Sequence, residues 1–461
     1  MNNFFTTLTF LFITYFNFSQ SYESKIDSIV SLQYNANDPG IAILVAKDGK
    51  AIYKKALGKS NLELNTPIEI NSVFQIGSIT KQFTAVSILM LAEQGKLNIE
   101  DKIGKYIPEY AELGKNITIH HLLNHTSGIK NKTLLSEKNY TSRVDRSPKE
   151  LITYFKDEPL EFMPGEKFKY SNAGYILLGQ IIETISKQSY GQFIQEKIFD
   201  KVGMSSSYYG NMKHIIPYQT KGYIVEQNDY INADYMSLSL AYSAGAILST
   251  TEDLLKWQNA LHSNTLLNES SIKQAMTPTL LNSEKKIPYG YGFRFSRLGN
   301  SPVIAHTGST KGFTSIALFL PKENVYITAL TNCNCKNVNN VAKQVAELFV
   351  TSPDANKVSA AIKITKQERK SIAVPAEILN NYTGTYEVKP NVNLTVGLDN
   401  TNQLYLLAPG QTKKVKLFAE TQNHFFVKIV DAEITFNKNE TNTIISLTMN
   451  QSGRKIIAKK N

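Results

Sequence analysis

The first residues in this chain able to do covalent chemistry are Ser78-Ile79-Thr80-Lys81. A serine and a lysine three apart at the start of a helix share one face, so the amine can reach the hydroxyl and draw off its proton. The helix amino terminus also favours developing negative charge near Ser78. The S-x-x-K pattern recurs from Ser127, Ser270, Ser283 and Ser452, but only Ser78 opens a long apolar helix. Phe83, Val86, Leu89 and Met90 repeat there at helical spacing, and Gly95 marks the end.

Two further clusters follow. Tyr170-Ser171-Asn172 comes after Pro164-Gly165 and leads into a helical run from Ala173 to Ile185. On one reading Ser171 or Asn172 caps that helix; on the other, the Tyr170 phenol moves protons while the Asn172 carboxamide orients a substrate amide. His306-Thr307-Gly308-Ser309 leads into a late strand pair. There, glycine on a strand permits close approach of a ligand or another backbone segment. The alternative is a bulged strand with an incidental histidine.

Positioning these clusters requires a scaffold. Ile41–Ala46 and Ala51–Tyr53 flank Asp48-Gly49, the strongest short hairpin signal, and Thr314–Leu320 and Val325–Leu330 form a second hairpin around Pro321–Asn324. Between them, roughly residues 80–261 read as helices. Strands at both ends with helices inserted imply one α/β (α+β) body with an all-α subdomain, and a cleft where the two meet. Residues 351–374 turn polar and lysine-rich. Beyond them, short runs at Leu394–Val396, Leu404–Leu407, Phe425–Ile429, Ile434–Phe436 and Ile444–Met449 predict a small antiparallel barrel or sandwich.

With 461 residues, 42% hydrophobic and 19% charged, the chain is neither a disordered tail nor a disulfide-stapled miniprotein. Phe4–Phe18 is uncharged and has the length of a signal-peptide core; Ser19-Gln20-Ser21 supplies a small-residue cleavage pattern. No Lys or Arg precedes that core, and a membrane anchor is the alternative reading. No later segment is apolar enough to span a bilayer, so a secreted or periplasmic mature protein is expected. Of the net charge of +11, six units come from Ser352 onward, where 15 Lys and Arg face 9 Asp and Glu. Those lysines lie among strand-like runs with no aromatic single-strand motif, so a solvated face is expected and not a nucleic-acid site.

Competing chemistries are weaker. A G-x-S-x-G elbow is approached only by Ala241-Tyr242-Ser243-Ala244-Gly245, which lacks the first glycine. His120, His121 and His125 could suggest zinc, but no acidic third ligand lies nearby, so neither metal nor cofactor is expected. Cys333 and Cys335, two apart at a strand end, read as structural thiols, because a disulfide across that spacing on a strand would be strained.

The order Ser78–Lys81, Tyr170–Asn172, His306–Gly308 resembles the S-x-x-K, Y-x-N and K/H-T-G motifs of the class C β-lactamase and penicillin-binding serine hydrolase family. Leu122–Gly128, Pro164–Asn172 and Gly245–Trp257 are similar to that family as well, and the tail resembles the β-barrel appendage of some members. The resemblance implies a β-lactamase-like domain at 22–350 after a signal peptide at 1–21. A linker at 351–375 and a barrel-like domain at 376–461 would follow. It implies Ser78 as nucleophile, Lys81 and Tyr170 sharing the base role with both pKa values drawn toward neutrality, and Asn172 holding the acyl-side amide. Thr307, Gly308 and Ser309 would complete the substrate site, and the N–H groups of Ser78 and Ser309 the oxyanion hole. His306 stands where β-lactamases carry lysine. A largely neutral imidazole holds a carboxylate less firmly, which turns the expectation toward small esters, amides or D-amino-acid peptides. A penicillin-binding sensor that acylates without turnover is the other reading. Oligomeric state is not legible.

Overall fold

Asp48 and Gly49 both take positive φ, 51° and 73°, the turn geometry whose twist suits a tight hairpin between the strands Ile41–Lys47 and Lys50–Leu57. In the computed structural model, residues 22–136, 143–210, 214–227, 229–350, 371–389, 392–407, 414–427, 432–451 and 454–461 are described. The expected signal peptide, most of the linker, the S-x-x-K starting at Ser452 and the end of the Phe425–Ile429 run lie outside these residues. Contacts divide the chain into two compact units, Met1–Ser352 and Pro353–Asn461.

In the first unit the two hairpins meet. Ile41–Lys47 pairs antiparallel with Val325–Thr331, from Ile41 opposite Thr331 to Lys47 opposite Val325. The resulting six-stranded sheet runs Arg294–Leu298, Ser301–Thr310, Phe313–Leu320, Val325–Thr331, Ile41–Lys47, Lys50–Leu57. Side chains alternate across it. Ile41, Ile43 and Val45 join Val341 and Val345 in one core, and Ala42, Leu44 and Ala46 join Phe83, Val86 and Trp257 in another. Covered on both faces, Ile41–Ala46 is an unbroken apolar run.

The helix Thr80–Glu93 is buried from Thr80 to Leu91. Phe83 stacks on Trp257 at 4.0 Å, and the indole Nε1–H donates to Gln82 Oε1 at 3.1 Å. Beside it packs the helix Asn172–Ser186, capped by Ser171, whose hydroxyl accepts from Gly174 N. The segment ahead of Ser78 is tied on two sides. Ile76 N–H donates to Ile247 O at 3.0 Å, and Ser315 Oγ donates to Ile76 O at 2.8 Å.

Cys333 and Cys335 are disulfide-bonded, which corrects the expectation of free thiols. That expectation assumed an extended strand, in which residues two apart stand roughly 6.6 Å apart. The chain instead turns after Thr331, and the Cα atoms are 5.1 Å apart, inside disulfide range.

In the second unit nine antiparallel strands form one sheet whose edges are Val415–Lys416 and Phe418–Ala419. Only Leu417 separates those edges, so the sheet curls into a nearly closed barrel. Aromatic side chains fill its core: Tyr382 stacks on Phe436 at 4.3 Å, with Tyr386 and Phe425 beside them. Among the described residues no helix is long and apolar enough to cross a membrane.

Candidate active site

Two glycines bring the distant clusters together. Gly308 faces Ile76: a Cβ there would stand 1.9 Å from the Ile76 carbonyl oxygen. Gly77, at φ +51°, faces Ser309: a Cβ there would stand 2.7 Å from Ser309 N. Without side chains at both positions, the backbone that carries Ser78 seats against the strand Ser301–Thr310. Ser78 thus follows a turn pressed against the Ser309 amide, with the helix Thr80–Glu93 immediately behind it.

Lys81 lies in the first turn of that helix and is fully buried. Its Nζ is 3.2 Å from Ser78 Oγ, 2.8 Å from Asn172 Oδ1 and 2.7 Å from the Ala244 carbonyl oxygen. Asn172, at the head of its helix, is steadied by its N–H donating to Asn131 Oδ1 at 2.8 Å. Ser171 caps the helix while the Asn172 side chain faces the amine, so the cap leaves the Asn172 carboxamide free of that task. The Tyr170 hydroxyl hydrogen-bonds the Ser78 side chain, and its ring centre lies 4.9 Å from Lys81 Nζ.

Burial, helped by the nearby Arg294 charge, holds the Lys81 amine well below the ordinary lysine value. Tyr170 does not follow. Burial pushes its phenol up to about 12, outweighing the hydrogen bond from Ser78 and the Arg294 charge, both of which act downward. The expectation that both groups titrate nearer neutrality therefore holds in direction for the amine and is corrected for the phenol. Burial thus favours the neutral form of both groups, the free amine and the protonated phenol.

His306 is almost fully buried, with both ring nitrogens engaged: Nδ1 with Thr307 O at 2.8 Å and Nε2 with the Tyr289 hydroxyl at 3.0 Å. Burial and the Lys81 charge draw its pKa down to about 3. The imidazole is thus a neutral bracket between strand and loop, while Thr307 is half-buried and Ser309 exposed. A cation does reach the site from a residue sequence reasoning missed. Arg294 is exposed, and its guanidinium carbon lies 5.0 Å from the Tyr170 ring centre and 5.4 Å from that of Tyr289. The loop before it passes close to the helix Thr80–Glu93: a Cβ on Gly292, at φ +80°, would stand 2.9 Å from Lys81 O. The alternating aromatic and glycine run Tyr289-Gly290-Tyr291-Gly292-Phe293-Arg294 was the available signal. Asn131 and the Ala244 carbonyl carried none.

The three histidines weighed for zinc go separate ways. His120 pairs with the Tyr291 hydroxyl at 2.6 Å and with Asn124 at 2.9 Å. His121 Nδ1 takes the Thr118 N–H, and His125 Nδ1 takes the Ser171 N–H. Among the described residues no group of three or more His, Cys, Asp or Glu gathers as a metal site.

Comparison with known proteins bears on the family and the fold. The family model described as Beta-lactamase matches residues 29–350, and one described as a domain of unknown function (DUF3471) matches residues 368–459. The chain is 28% identical over 418 residues to "Penicillin-binding protein 4*" of Bacillus subtilis (strain 168), covering 86% of this chain and 90% of that protein. It is 27% identical over 360 residues to "Protein flp" of Staphylococcus aureus (strain MW2), covering 76% and 71% respectively. Among solved structures, the octameric penicillin-binding protein homologue from Pyrococcus abyssi superposes with a TM-score of 0.65 at 25% identity, covering 95% of this chain and 99% of that one. A D-amino acid amidase from Ochrobactrum anthropi SV3 shares the fold at a TM-score of 0.62 and 21% identity, covering 71% and 97%. The chain belongs to the Beta-lactamase family and is a serine hydrolase of the β-lactamase and penicillin-binding type.

Proposed function

We propose that this protein hydrolyses small amides or peptides with a D-amino acid at the scissile bond, through an acyl intermediate on Ser78. One observation carries the reading: a buried amine of lowered basicity stands 3.2 Å from a serine hydroxyl while two neutral acceptors hold it. In its neutral form Lys81 gives its two N–H bonds to Asn172 and Ala244, leaving the lone pair for the Ser78 proton. Ser78 Oγ then bonds to the substrate carbonyl carbon as its proton passes to Lys81. The N–H groups of Ser78 and Ser309 stabilise the oxyanion, and losing such a donor typically costs about a hundred- to a thousand-fold in turnover. As the C–N bond breaks, Tyr170 gives its proton to the leaving amine and recovers one from Lys81. Water attacks the ester, releases the acid and restores the Ser78 hydroxyl. Asn172 orients the acyl-side amide.

His306, buried and neutral, is replaced as carboxylate partner by Arg294 at the open side of the site, with Thr307 and Ser309 beside it. This arrangement supports a substrate with a free carboxylate on its leaving group. It also fits relatives named for binding penicillin. The uncharged Phe4–Phe18 segment supports export ahead of a hydrolase domain at 22–350, and the barrel domain at 376–461 would follow a linker at 351–375.

A panel of D-alanyl peptides, short-chain nitrophenyl esters and a chromogenic cephalosporin tests the proposal. D-alanyl peptides should be the fastest turned over, and Ser78→Ala should abolish all turnover with a melting temperature within a few degrees of wild type. Hydrolysis surviving Ser78→Ala would end the covalent reading, and esters alone being cleaved would end the substrate reading.

A further inference from the structure

The loop that follows the helix Ile119–Leu123 holds the segment bearing Tyr170, and one residue makes both contacts. The peptide N–H groups on either side of Tyr170 end on His125: Lys169 N–H donates to the His125 carbonyl oxygen at 3.0 Å, and Ser171 N–H donates to His125 Nδ1 at 3.1 Å. The imidazole also lies against the phenol it flanks, with ring centres 4.3 Å apart, and is enclosed by Tyr289 at 4.6 Å and Tyr175 at 5.0 Å. His125 adopts φ +63°, an uncommon conformation for a non-glycine residue. It is 1% exposed, and among the described residues its Nε2 finds no hydrogen-bond partner. Both features oppose folding, and such outliers persist where the surrounding structure imposes them for a purpose. Because Nδ1 accepts a hydrogen bond, the ring proton sits on Nε2, so the tautomer is set by the clamp.

We infer that His125 is a positioning residue: by capturing both peptide N–H groups that flank Tyr170 and backing its ring, it holds the phenol toward Ser78. The inference rests on the reading of Tyr170 as a proton carrier. His125 does not touch the reacting atoms.

Two amide substitutions separate positioning from bulk packing. His125→Asn places an oxygen where Nδ1 was and tolerates positive φ, whereas His125→Gln places its oxygen near the Nε2 position and leaves Ser171 N–H without its partner. The readout is kcat and KM on a D-alanyl peptide that the wild type hydrolyses, whose leaving amine needs the Tyr170 proton, with melting temperature as a check on folding; fluorophosphonate labelling of Ser78, whose fluoride leaves without that proton, is the control. An ångström of misplacement costs about a hundredfold in rate, so His125→Gln should lower kcat about a hundredfold with KM nearly unchanged while its Ser78 labels within about tenfold of wild type, and His125→Asn should keep kcat within about tenfold. In a Tyr170→Phe background His125→Gln should add less than about threefold, because residues acting through one group are not additive. If Asn and Gln lower kcat equally, if Gln slows labelling as much as turnover, or if the Gln loss persists undiminished in Tyr170→Phe, the positioning role of His125 is overturned while the Tyr170 reading stands. If Tyr170→Phe alone turns the peptide over at the wild-type kcat, the Tyr170 reading falls and takes this inference with it.

Discussion

Replacing Gly308 with alanine tests the contact that seats the nucleophile. The added methyl would stand 1.9 Å from Ile76 O and 2.3 Å from Ser315 Oγ, where real contacts stay beyond 3.0 Å. Ile76 must therefore recede by about 1 Å, and Ser315 with it, breaking the 2.8 Å bond that joins them. Ile76 is two residues before Ser78, and its own N–H is held by Ile247 O, so the strain passes into the turn that carries the serine. Overpacking of this kind costs about 1–3 kcal/mol of stability, and an ångström of misplacement costs about a hundredfold in acylation. Gly95→Ala is the matched control. Its φ is +67° and nothing lies within 4 Å of the added methyl, so it should cost about 1 kcal/mol of stability with no change in acylation. Both variants are compared by thermal melting and by the rate of fluorophosphonate labelling of Ser78. Wild-type labelling in a folded Gly308→Ala protein would refute the seating argument, and so would an equal slowing in Gly95→Ala.

Three other outcomes follow from the site. Lys81 accepts a proton only when neutral, so kcat/KM should fall as pH drops through its depressed value, giving an acid limb well below the usual lysine value of 10.5. The Tyr170 phenol, at about 12, should produce no alkaline decline near neutrality; a limb at the unperturbed lysine value would contradict the burial argument. Arg294→Leu should raise KM about tenfold for substrates with a free carboxylate, or about 1.4 kcal/mol for one charge-assisted bond, and leave the KM of neutral esters unchanged. Removing that positive charge should also move the acid limb to higher pH, since Arg294 helps hold Lys81 down. Ser78→Ala should eliminate both turnover and probe labelling, with intact mass showing no adduct.

Local patterns carried much of this molecule. The Asp48-Gly49 turn, the strand pair around Pro321–Asn324 and the apolar face beginning at Phe83 were legible because each rests on neighbours within a few residues. Ser78 stood out among five S-x-x-K patterns because only it opens a long buried helix. The disulfide was not legible, since it depends on the chain turning after Thr331 instead of staying extended.

The sequence by itself determined which side chains are candidates for chemistry and that their order matches a hydrolase of this family, because side-chain type and short-range spacing are written in it directly. Tertiary structure alone decided the surroundings in which each of them stands. Burial sets the opposite pKa shifts of Lys81 and Tyr170, the Tyr289 hydroxyl occupies His306, and Arg294 arrives at the head of a strand more than a hundred residues from Tyr170. Desolvation and the charge field at a point depend on every atom packed around it, and those atoms come from segments that no local pattern joins.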